Sequence, residues 1–136
     1  MKNMLSLCLL ILAFVPFSST AQLDSASVNT YFETVTVQLE GLDSTATVKA
    51  IKTETWVNDF DFFGEIIVTA YDQETDYPVH KIKHTAQSIL DNNLYNSGII
   101  TINIQHGVEE EREYRVEVIV RDYQGMNYPI ISKTVH

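Results

Sequence analysis

Tyr114-Arg115-Val116-Glu117-Val118-Ile119-Val120-Arg121-Asp122-Tyr123-Gln124-Gly125 is the stretch on which the fold turns. Tyr114, Val116, Val118 and Val120 fall on one side of an extended chain, and Arg115, Glu117, Ile119 and Arg121 on the other. That alternation describes a strand with one face in a core and one mostly in water. Asp122 and Gly125 close it as a turn.

Working outward, Ile100, Ile102 and Ile104 predict a preceding strand over 99–105 that faces the same core. The connector between the two is charged and contains Gly107. After the turn, Pro129 to Val135 predicts a last strand, with proline at its start and Lys133 guarding an edge. Towards the N-terminus, Tyr31–Leu39 and Thr45–Thr55 alternate around β-branched residues. Gly41-Leu42-Asp43-Ser44 lies between them, so they read as a hairpin. In the second of these strands, Ala46, Val48 and Ala50 oppose Thr47 and Lys49. Residues 23–29 read as a short polar lead-in. Gly64–Asp72 is apolar on both sides, as a central strand is. Val79–His84 predicts a short strand, and Thr85–Asn93 is the one place for a helical turn. About seven short strands with turn signals between them predict an all-β, antiparallel two-sheet sandwich in a single domain, residues 22–136.

The spacing Tyr114-x-Val116-x-Val118-x-Val120-x-Asp122-x-x-Gly125 resembles the penultimate strand of fibronectin type III and other immunoglobulin-like domains. The likeness is carried mainly by the C-terminal third. It implies that the Tyr114 ring fills the core while its hydroxyl bonds back to nearby backbone. It also implies a core tryptophan on an early strand, for which Trp56 is the candidate. It implies no particular activity, since such folds host many.

The first residues read differently. Lys2 gives a positive start, Met4 to Phe17 is almost wholly apolar, and Ser19-Thr20-Ala21 offers small residues to a peptidase. This order predicts a secretory signal peptide over residues 1–21. Its apolar run is shorter than the roughly 20 residues that span a bilayer, so no stable membrane span is expected in the exported chain. The one cysteine of the sequence, Cys8, lies inside that run, which leaves the exported domain without disulfide or thiolate chemistry. Export without disulfides points to a bacterial protein, secreted or periplasmic. The net charge of −9 disfavours nucleic acid and anionic lipid as partners, because both require a basic footprint.

Two sets of residues stand out as sites. Asp59, Asp61, Asp72, Glu74 and Asp76 are hard oxygen ligands in turn-rich segments and the candidates for calcium, although the fixed glycine and late glutamate of a calcium loop are missing. Trp56, Phe60, Phe62, Tyr77, Tyr123 and Tyr128 lie at or near strand ends. They either fill one end of the core or form a surface for a protein or a glycan. His80 and His84 stand four apart on a strand-like segment without the intervening glutamate of a helical zinc motif. No nucleophile elbow, phosphate loop or paired-glycine motif occurs. The expected function is therefore a non-enzymatic exported module for binding or adhesion, with no cofactor assigned beyond the calcium candidates. Alternatives are an accessory subunit of a larger envelope complex, a calcium-binding domain or a small hydrolase.

Overall fold

The computed structural model describes residues 26–109 and 111–136. The expected leader, residues 1–21, and the lead-in up to residue 25 lie outside the described residues. The elements in order are β1 (Ala26–Gln38), β2 (Thr45–Val57), a single 3-10 turn (Phe60–Phe62), β3 (Phe63–Asp72), β4 (Pro78–Thr85), α1 (Ala86–Asp91), β5 (Tyr95–Asn96), β6 (Ile99–Ile104), β7 (Tyr114–Asp122) and β8 (Ile131–Val135). They form two four-stranded sheets, β1-β2-β6-β5 and β4-β3-β7-β8, and every pairing is antiparallel. The sheets face each other across one core.

β7 alternates buried and half-buried along its whole length, as its sequence predicts. Val116, Val118 and Val120 meet Ile66 and Val68 of β3 on the same inner face, and Ile51, Ile100, Ile102 and Ile104 come from the opposite sheet. Each such side chain contributes about 1.5–3 kcal/mol when fully removed from water. β3 lies between β4 and β7, which explains its two apolar faces. On the outer face, Ile67 sits in one row with Ile119 and Lys83 and is largely covered. Tyr114 is wholly buried. Its ring meets Phe32 edge-on at 6.1 Å, and its hydroxyl accepts the Glu109 N–H (2.6 Å) and donates to the Gly107 carbonyl (3.2 Å). The acidic connector thus folds back over the tyrosine, and Gly107 at φ +78° provides the left-handed residue that the turn requires.

Several expectations are corrected. Among the described residues the strands number eight, in keeping with the about seven expected, and the one not anticipated is the two-residue β5 at a sheet edge. β1 begins at Ala26, so the lead-in from that residue on is strand. β8 begins at Ile131, and Pro129 belongs to the loop before it. Trp56 does not enter the core. It is one residue out of phase with buried Thr55 and Val57 and lies 50% exposed on the outer face.

The hairpin holds the most instructive correction. Its register runs unbroken from Ala26↔Val57 to Gln38↔Thr45, so the side chains of both strands alternate without interruption. In the lower half, Phe32, Ile51, Thr53 and Thr55 belong to the inner face. In the upper half the apolar residues have changed phase, and Val35, Val37, Ala46 and Val48 occupy the other face. β6 ends at Ile104 opposite Ile51. Above that point the hairpin continues as a two-stranded arm.

Candidate functional site

The strands divide the loops between two ends. One end carries loops 58–62, 86–98 and 123–130, and the other carries the hairpin turn and loops 73–77 and 105–113. Five of the six singled-out aromatics, Trp56, Phe60, Phe62, Tyr123 and Tyr128, gather at or beside the first end. Tyr77 stands at the opposite end, 71% exposed.

The aromatic end is built on backbone geometry. The Asp59 carboxylate accepts the Asp61 N–H (3.0 Å) and caps the 3-10 turn, which rolls Phe60 and Phe62 towards the core. Phe60 packs on Phe63 (5.2 Å between ring centroids) and Tyr95 (4.3 Å). The Tyr123 N–H donates to the Phe62 carbonyl (2.9 Å), which ties the β7–β8 loop to the β2–β3 loop. Gly64 sits at a register shift beside this tie. A Cβ there would lie 2.2 Å from the Asp122 carbonyl oxygen, so only glycine allows the approach. Asp122 is buried, and its Oδ1 accepts the N–H groups of Gln124 (2.9 Å) and Met126 (3.0 Å). These bonds fix the turn that presents Tyr123, which is 53% exposed and 6.0 Å from Phe62.

Trp56 is held separately, on the outer face of its sheet. Its six-membered ring lies against Gly98, where an added Cβ would come within 3.4 Å. Across the strands it pairs with Ser27 on one side and Ile99 on the other, and Asn29 pairs with Glu54 in the neighbouring row. Asn29 Nδ2 donates to Glu54 Oε1 at 3.4 Å. These residues and Val28 line a groove of about 260 Å³. An aromatic face beside an amide and a carboxylate can stack on the apolar side of a sugar ring while accepting and donating hydrogen bonds to its hydroxyls.

The calcium candidates are not brought together. Asp59 and Asp61 precede β3, whereas Asp72 ends it and Glu74 and Asp76 follow, a strand length of about 30 Å away. Asp72 accepts the N–H groups of Glu74 (2.9 Å) and Thr75 (3.2 Å) and an Arg112 guanidinium N–H. Asp76 accepts a hydrogen bond from Arg115 at 2.7 Å. Hydrogen bonding from Arg112, with help from the Thr75 N–H, holds the Asp72 carboxyl below the usual range. Arg121 does the same for Glu65, with Lys83 adding to it. Among the described residues, no three His, Cys, Asp or Glu side chains converge as metal ligands would.

His80 and His84 are half-buried, while His106 and His136 are exposed. His84 shares a 2.7 Å hydrogen bond with Ser88 at the start of α1, and the His80 ring lies 5.5 Å from that of His106. Sequence reasoning missed the Trp56 groove, because its partners come from three strands and nothing in the spacing joins Ser27, Asn29 and Ile99 to Trp56. Among the described residues, no helix is long and apolar enough to cross a membrane. No family model, curated protein or solved structure matches this chain.

Proposed function

We propose that the chain is an exported, non-enzymatic binding module of the fibronectin type III kind, acting at a bacterial envelope or outside the cell. The strand order β1-β2-β6 facing β4-β3-β7-β8 and the buried tyrosine bonded back to its connector support the family reading. Trp56 carries the functional reading: a large aromatic left half-exposed at the mouth of a groove, next to the Asn29–Glu54 pair. Burial is the usual fate of a tryptophan, and one held in the open by Gly98 is placed to be covered by something else. We assign it a glycan. Tyr123 and Met126, both exposed on the loop at the same end, favour a protein as the second reading. The non-enzymatic reading is supported by the partners of the perturbed carboxylates, because Glu65 and Asp72 are each held by arginine in structural ion pairs.

The test uses the fact that Trp56 is the only tryptophan in the chain. Titration with neutral oligosaccharides is expected to shift its fluorescence. Trp56→Ala is expected to weaken binding, measured by calorimetry, by roughly tenfold or more, as loss of an aromatic anchor does. The melting temperature should remain near that of the wild type. An oligosaccharide panel that leaves the emission unmoved removes the glycan. Capture of a protein partner that Tyr123→Ala abolishes and Trp56→Ala spares would establish the second reading instead.

A further inference from the structure

The arm of the hairpin presents a bare hydrogen-bonding edge whose direction can be worked out from the ladder. At the arm's tip the Leu39 N–H donates to the Ser44 carbonyl (3.0 Å), so even-numbered residues of β2 turn their backbone groups towards β1. At the other end the Val57 N–H donates to the Gly98 carbonyl (3.0 Å), which places odd-numbered residues on the β6 side. Ile51, Thr53 and Thr55 accordingly face Ile104, Ile102 and Ile100. Above them, Thr45, Thr47 and Lys49 point N–H and C=O to that same side. Among the described residues no strand lies there. This stretch contains no proline and no bulge, and of the usual protections of an edge it carries only Lys49.

We propose that this edge takes the same edge of a second copy, antiparallel, with Thr47 opposite the partner's Thr47 across a two-fold axis. In that register Thr45 meets the partner's Lys49, so all three outward residues of each copy face outward residues of the other. Lysine stands against threonine rather than against lysine. On the apolar face, Ala46 lies beside the partner's Val48. Because β1 already sets Val37 beside Ala46 and Val35 beside Val48, apolar rows four residues wide run through both molecules. Sliding the register by two residues either sets Thr45 against the partner's Ile51, already bonded to β6, or sets Lys49 against the partner's Asp43, in the turn. The outer edge of β1 is the competing surface. There, the register that pairs Thr34, Thr36 and Gln38 seats Glu33 on the apolar face opposite the partner's Leu39. Burying that carboxylate, now 3.5 Å from Lys52, opposes such an arrangement. The site lies at the opposite end from Trp56 and does not depend on the binding function proposed above.

Sedimentation of the purified protein over a concentration series tests the pairing, since interfaces of this size are at the weak end of the range. The wild type is expected to dimerise with rising concentration. Thr47→Pro removes an outward N–H and leaves the β1–β2 ladder whole, and it should weaken the dimer by at least tenfold. Thr36→Pro makes the equivalent change on the other edge and should leave the dimer intact. If Thr47→Pro does not fold, Thr47→Lys sets lysine against lysine at the axis. It should weaken the dimer in low salt and recover in high salt. A wild type that stays monomeric to its solubility limit overturns the proposal. Dimers lost in Thr36→Pro and kept in Thr47→Pro overturn it as well.

Discussion

At the aromatic end, the β2–β3 and β7–β8 loops are joined by main-chain contacts: the Tyr123 N–H on the Phe62 carbonyl, and Gly64 pressed against Asp122. At the opposite end, the β3–β4 loop and the β6–β7 connector share one main-chain bond, from the Gln73 N–H to the Glu113 carbonyl (3.0 Å), and the rest of the tie is made by side chains. Arg112 holds Asp72, Arg115 holds Asp76, and the Tyr114 hydroxyl holds the connector. The first arrangement leaves two aromatic side chains, Tyr123 and Trp56, half in solvent. The second consumes its charged side chains and ties the order of the loops to protonation. The proposed recognition surface lies at the first end, whereas the lowered carboxyls are divided, Glu65 beside Gly64 at the first end and Asp72 at the second.

The strongest way to break this contrast is at Tyr114. Tyr114→Ala should cost about 3–5 kcal/mol in chemical denaturation, the scale of a deleted aromatic core residue. Tyr114→Phe keeps the ring but orphans the connector's backbone groups, for about 1–2 kcal/mol. Equal losses from the two variants would mean that the hydroxyl, not the ring, holds the connector.

A smaller effect should come from acid. Asp72 and Glu65 have carboxyls held below their ordinary values of 3.8 and 4.5 by arginine hydrogen bonds. A carboxylate whose folded pKa is lowered stabilises the fold above its unfolded value, and that stability is lost as pH falls through the folded one. Thermal melts should therefore be level near neutrality and fall below about pH 4.5. Asp72→Asn should flatten the part of that fall owed to the charged end. An unchanged slope would show that the Arg112 pair adds nothing measurable. The smallest effect is expected at Glu117, half-exposed on the outer face and bonded to Arg115 at 3.2 Å. Glu117→Gln should stay within about 0.5 kcal/mol of the wild type.

The parts of the fold legible in the sequence are those where a strand keeps one phase from end to end. β6 and β7 do so, and their inward residues were readable one by one. The hairpin was legible as a hairpin but not in its facing. Phe32 and Val35, like Val48 and Ile51, are both apolar and odd-spaced, and only knowing where β6 stops shows that one of each pair lies beyond the sandwich. β5 is too short to have a pattern. The aromatic end was legible as a cluster of residue types, but which rings fill the core and which face water depends on the Asp59 cap and the bend at Gly64. Trp56 illustrates the limit. Its residue type argues for burial, and one position of phase beside Val57 decides otherwise.

Gly64 has one more effect. Because a single absent methyl lets the start of β3 rest on the end of β7, the two loops of the aromatic end share a hinge pin. A displacement of Tyr123 is therefore expected to reach, through the Phe62 carbonyl, the segment that carries Phe60 and Phe62.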